Sequence, residues 1–145
     1  MIKKSIILSY VFSILIIIFI SACTNGGKPE IVVRDAVMVR SGMMKGVASS
    51  FMRIINNGSG SDRLTGCAIK EHPSARGELH DFKDGRMTKV EKVIIPAHET
   101  TELRRGDLHI MFFKHPEKLD GTVTLIMNFS KSGPIEVKVS TDAHK

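Results

Sequence analysis

From residue 30 onward the chain is cut every five to eleven residues by clusters of Gly, Pro, Asn and Asp, and no run longer than a turn or two has helical periodicity with caps. The runs are EIVVRDAVMVR, GVASSFMRIIN, DRLTGCAIK, ARGELHDF, RMTKVEKVIIP, TTELR, LHIMFFK, GTVTLIMNFS and PIEVKVS. The breaks include NNGSGSD, HPS, KDG, PAHE, RRGD, HPEKLDG and KSG, whose residues favour turns because they accept positive φ, preset φ or hydrogen-bond their own backbone. Short strands at this spacing predict an all-β domain, an antiparallel sandwich or barrel.

The 145 residues suffice for one domain with a substantial core. The beginning reads as something separate. Lys3 and Lys4 precede an apolar run over residues 6–20, and small residues follow, which is the layout of a secretory signal. The stretch ISAC, residues 20–23, resembles a bacterial lipobox, in which cleavage before the cysteine leaves a lipid on Cys23. An uncleaved membrane anchor is the alternative, and either places the domain outside the cytoplasm. The expected organisation is a signal peptide over residues 1–22, a lipidated Cys23 with a flexible tether over 23–29, and the folded domain over 30–141.

With Cys23 lipidated, Cys67 is the only free thiol, so a core rather than a disulfide must hold the exported domain. Cys67 lies among apolar residues in RLTGCAIK and reads as a small core side chain. Loss of Lys3 and Lys4 lowers the formal charge from +6 to +4, with 19 basic residues against 15 acidic. That excess suits an anionic membrane surface or an acidic partner. Scattered basic residues, one Tyr and no Trp do not suggest nucleic acid.

Asp84-Gly85 in ELHDFKDGRMTKV is the dipeptide a two-residue type I′ hairpin prefers, and it sets a register. Lys83 falls opposite Arg86, Phe82 opposite Met87, Asp81 opposite Thr88 and His80 opposite Lys89. His80 and Met87 then share a face as diagonal neighbours, within reach of one ion. In LHIMFFK, His109 and Met111 share a strand face because side chains alternate. Two imidazoles and two thioethers form a soft ligand set, which suits Cu(I) and suits hard cations poorly. The ordinary reading of the same residues is core packing for the methionines and hydrogen bonding for the histidines. His72, His98, His115 and His144 fall in turns or the tail and are expected to be solvated, with His98 kept as an accessory ligand. Met43 and Met44, in SGMMKG, read as loop hydrophobes that could also recruit copper.

At these residues the chain resembles the periplasmic copper chaperone family PCu(A)C, a cupredoxin-like Greek-key sandwich related in form to immunoglobulin domains. The family signature is His, ten residues, Met, twenty-one residues, His, one residue, Met. Here 21 residues separate Met87 from His109 and HIM follows, so the second half matches. SSFMRIINNGSGSDRL, VIIPAHETTEL, LDGTVTLIMNF and PIEVKV resemble further family segments in order. The first half departs, with six residues between His80 and Met87. A hairpin shortened by two residues on each strand keeps every side chain on its face, so the site is expected to survive, and loss of copper binding is the alternative.

The resemblance implies that His80, Met87, His109 and Met111 hold one copper ion, Cu(I) preferred, in a monomer lipid-anchored at the periplasm or cell surface. It further implies delivery to a copper-accepting membrane protein, cytochrome c oxidase or its assembly factors. Two other readings stand beside it: a lipoprotein interaction module that binds no metal, and an electron-transfer cupredoxin, which would need a Cys ligand. No nucleophile, phosphate-loop or zinc motif is present, and no catalytic residue is assigned.

Overall fold

The structure, a computed structural model, describes residues 26–115 and 121–141. The signal segment, Cys23 with the first residues of the tether, and His144 lie outside the described residues. Ten strands follow in chain order: β1 (Ile31–Arg40), β2 (Val47–Asn56), β3 (Asp62–Ile69), β4 (Arg76–Lys83), β5 (Arg86–Val90), β6 (Val93–Ile95), β7 (Thr100–Leu103), β8 (His109–Phe113), β9 (Gly121–Phe129) and β10 (Gly133–Thr141). The described residues contain no helix.

Nine runs become ten strands because the run over residues 86–96 divides at Glu91 and Lys92. β5 pairs with β4, whereas β6 pairs with β3. The strands form one sheet in the order β5-β4-β8-β2-β1-β10-β9-β3-β6, with β7 also on β2. Neighbours are antiparallel except for β1 and β10, whose parallel pairing at Val37 and Met38 joins the two halves. The inner faces of the halves pack on each other as the expected all-β sandwich.

The core is filled by Ala48, Met52 and Ile54 of β2, Leu79 of β4, Ile110 and Phe112 of β8, and Val123, Leu125, Met127 and Phe129 of β9, among others. Along β9 the inward residues alternate, as a half-buried strand requires. In β3 the alternation slips: Leu64 is inward, then Cys67 and Ile69. A register shift between Leu64 and Gly66 inserts the extra residue and rotates the rest of the strand back onto the core. The same happens in β1, where Ile31 and Val33 pack inward, then Ala36 and Met38. The shift there falls between Arg34 and Val37, and Asp35 takes a φ of 54°. Gly77 marks the closest approach of β4 to β3, since a Cβ on it would overlap the carbonyl oxygen of Cys67.

β8 is the exception to one-sided burial. Ile110 and Phe112 enter the core, yet His109 and Met111, on the opposite face, are buried as well. Something other than the core covers the second face of this strand, and it is there that the site lies.

Candidate metal centre

The centre is built on three adjacent strands, β5, β4 and β8. The β4–β5 turn is the expected tight hairpin, with Asp84 at φ 53° and Gly85 at φ 73°. It pairs Lys83 with Arg86, Phe82 with Met87, Asp81 with Thr88 and His80 with Lys89, the register that Asp84-Gly85 implies. β8 then lies against the other edge of β4, with His109 directly opposite His80 and Met111 directly opposite Glu78. Directly opposed residues share a face, so His80, Met87, His109 and Met111 all project from the side away from the core.

The imidazole rings of His80 and His109 lie 6.0 Å apart between centroids, tilted by 34°. Phe113 stands 6.2 Å from His80, and Phe51 of β2 stands 6.4 Å from His109. Arg76 covers Phe113 with its guanidinium 5.4 Å from the ring centre. These rings and the neighbouring side chains leave His80 9%, His109 7% and Met111 4% exposed, while Met87 is 49% exposed. Three ligand candidates are thus held in place and one stands at the rim.

Each histidine has one nitrogen committed. His109 Nδ1 is 2.6 Å from the carbonyl oxygen of Asp107. A carbonyl only accepts, so Nδ1 carries the proton and the neutral ring keeps its lone pair on Nε2. His80 Nε2 is 3.1 Å from the Glu78 carboxylate, and by the same reasoning donates to it. His80 Nδ1 is then the lone-pair atom, and it is buried with no hydrogen-bond partner among the described residues. An orphaned acceptor of this kind is costly unless a ligand uses it.

Glu78 also accepts from Lys89 at 3.1 Å and forms an ion pair with Arg76 at 3.0 Å. The Lys89 hydrogen bond, then that from His80, holds its carboxyl below the usual range. Glu78 is therefore a fixed anion that orients His80. Sequence reasoning does not single it out, although its position two residues before His80 puts it on the same strand face.

A cavity of about 380 Å³ opens on this face, with Met87, His109, Met111 and Phe82 on its wall. Met43 and Met44, from the β1–β2 loop, line it too. His80 does not line it and reaches the centre as the ring neighbour of His109. Among the described residues no three His, Cys, Asp or Glu side chains cluster as a metal would need. A metal held here must draw on methionine sulfur, and the residues present fit a soft ion.

Two expectations about other histidines need correction. His98, the accessory candidate, sits in the β6–β7 turn with φ 58° and its N–H on the Gly58 carbonyl. That is the end of β2 near Asn56, about 23 Å along the strand from Ser49, which pairs with Met111. His115 is not solvated: it is 6% exposed, with its N–H on the Gly46 carbonyl, because the β1–β2 loop packs over it. Cys67 is the core residue that its apolar neighbours imply, and burial pushes its thiol up to about 12. It lies on β3, paired with Met127, apart from the histidine strands, which leaves no cysteine for a blue-copper arrangement among the described residues.

Comparison with known proteins agrees with this architecture. The chain is similar to three solved structures of PCuAC domains. "Copper-bound PCuAC domain from PmoF2" matches at TM-score 0.65 and 13% identity, covering 81% of this chain and 99% of that one. "Apo PCuAC domain from PmoF1" matches at TM-score 0.66 and 18% identity, with the same coverage. "apo PmoF2 PCuAC domain" matches at TM-score 0.64 and 13% identity, covering 81% and 94%. At these identities the likeness is one of fold, and it is the PCuAC fold expected from the sequence. No curated protein matches by sequence. The family model "Putative lipoprotein LpqE-like" matches residues 31–141, the whole of the described sandwich, and the chain belongs to the LpqE-like family.

Proposed function

We propose that this protein is an extracytoplasmic copper carrier that binds one Cu(I) through His80, Met87, His109 and Met111 and passes it to an acceptor at the membrane. The observation that carries the reading is the pairing of β4 with β8. It sets two buried imidazoles side by side, each with one nitrogen already donating and the other left as a lone pair. Met111 lies beside them and Met87 at the rim, so the set is neutral and half sulfur, which suits Cu(I).

Neutral ligands favour transfer over storage, because each can be exchanged singly. The partial exposure of Met87 gives an acceptor a first ligand to replace. The copper-bound description of one structural relative supports the same ion here. The family's lipoprotein description supports a lipid on Cys23 with residues 24–29 as the tether, and the PCu(A)C resemblance supports cytochrome c oxidase assembly as the destination. The role is carriage, and no residue is assigned to catalysis.

The test is a Cu(I) titration against a chromophoric chelator, with the protein beside its Met87→Leu/Met111→Leu variant. One tight equivalent in the parent and none in the variant is the expected result. A parent that leaves the chelator fully loaded would overturn the copper reading.

A further inference from the structure

Packing does not account for Met43 and Met44, since Met43 is 97% exposed and Met44 50%. One exposed apolar side chain is ordinary. The placement of this pair is not: both line the cavity whose wall also holds Met87, His109 and Met111. The loop that carries them is tied down. Ser41 donates its N–H to the Val47 carbonyl at 2.8 Å, and its hydroxyl accepts the N–H groups of Met43 at 3.3 Å and Met44 at 3.0 Å. Gly46, at φ 69°, turns the chain back into β2 in a conformation other residues resist.

We propose that Met43 and Met44 form an outer capture shelf for Cu(I), a thioether position that shares Met87 with the inner centre. The proposal rests on the copper reading above. Its logic is a gradient of ligand strength. The outer position offers only thioethers, neutral groups that do not titrate and that individually hold Cu(I) weakly. The inner centre adds two imidazoles whose lone pairs are already free. An ion landing on Met43 and Met44 takes Met87 as a further ligand, then exchanges the outer sulfurs for His109, Met111 and His80. Met87 and His80 displace the solvent or carrier ligands that the ion brings, and His109 and Met111 replace the two outer sulfurs one for one, with no change of oxidation state and no proton moved. Delivery follows the same path outward.

The test uses the full chain in detergent and its Met43→Leu/Met44→Leu variant, in which leucine keeps volume and apolarity at exposed positions. Three readouts are taken: Cu(I) affinity by chelator competition, the rate of Cu(I) uptake by stopped flow, and the methionine methyl NMR signals on addition of Ag(I), a redox-inert substitute. The shelf requires unchanged affinity and uptake slowed about tenfold, the low end of what loss of an outer partner costs a metal site. It also requires that the Met43 and Met44 methyl signals of the parent move with Ag(I). Unchanged uptake with unmoved methyl signals would overturn the shelf and leave the copper reading standing. Loss of equilibrium affinity would also overturn it, by making the pair inner ligands. A parent that binds no Cu(I) would remove the reading on which the shelf rests.

Discussion

Glu78 decides how the imidazole pair is presented. Its side chain is 12% exposed, and it accepts from Lys89 and His80 while forming an ion pair with Arg76. Without it His80 loses the hydrogen bond that fixes its ring through Nε2. Glu78→Gln keeps an acceptor oxygen but loses the charge that attracts Lys89 and Arg76, whereas Glu78→Ala removes the contact altogether. We expect Cu(I) affinity to fall about tenfold in the first and further in the second, as for other partners that orient a metal-bound histidine. Chelator competition measures both, and affinities equal to the parent's would show that Glu78 serves only the surface ion pairs. The histidine and methionine types are legible in the sequence at this scale. The partner groups that choose each ring's tautomer are not, because Asp107 contributes a backbone oxygen that carries no residue signature.

At the scale of elements, the β4–β5 hairpin shows how much a local signal can determine. Asp84-Gly85 specifies the turn, the turn specifies the register, and the register puts His80 and Met87 on one face. Gly85 sits at positive φ with open space where a Cβ would stand, so a substitution there meets backbone strain alone. Gly85→Ala should therefore cost about 1 kcal/mol. That corresponds to a fall in Tm of roughly 4 °C for a domain of this size. A thermal melt checks this, and a melt equal to the parent's would mean that the turn relaxes to another type. The bulges of β1 and β3 are less legible, although both leave a trace. In each strand the inward residues change phase by one position, at RDA and at TGC, where an ideal alternation would have continued.

For the whole molecule, buried polar groups hold strands and turns together as well as the core does, and Asp62 ties the start of β3 to the β9–β10 turn. Asp62, 1% exposed at the start of β3, accepts the N–H groups of Arg63 at 2.7 Å, Lys131 at 2.9 Å and Ser132 at 2.9 Å, and the Ser132 hydroxyl at 2.7 Å. Burial pushes its carboxyl up most strongly among the single causes, but the Ser132 hydroxyl and the three N–H groups together hold it below the ordinary value. A folded value below the unfolded one stabilises the fold above the ordinary carboxylate range, and this contribution is lost as pH falls through the lowered value. Denaturant midpoints should therefore drop on acidification below about pH 4, the ordinary Asp value. Asp62→Asn should be less stable near neutrality and show a flatter acid limb. An equal acid loss in the variant would assign the effect to other carboxylates.

The sequence by itself determined the fold class, the strand runs, the hairpin register and the four candidate ligands, because each depends on neighbours within about ten residues. Turn chemistry and side-chain alternation act at that range. Only the tertiary structure decided that β4 lies beside β8, since His80 and His109 are 29 residues apart and nothing local selects that pairing. The same long-range packing brought Met43 and Met44 to the cavity, buried His115 and removed His98 from the site. A candidate site assembled across strands is a product of sheet order, and sheet order is settled by burial of the whole core.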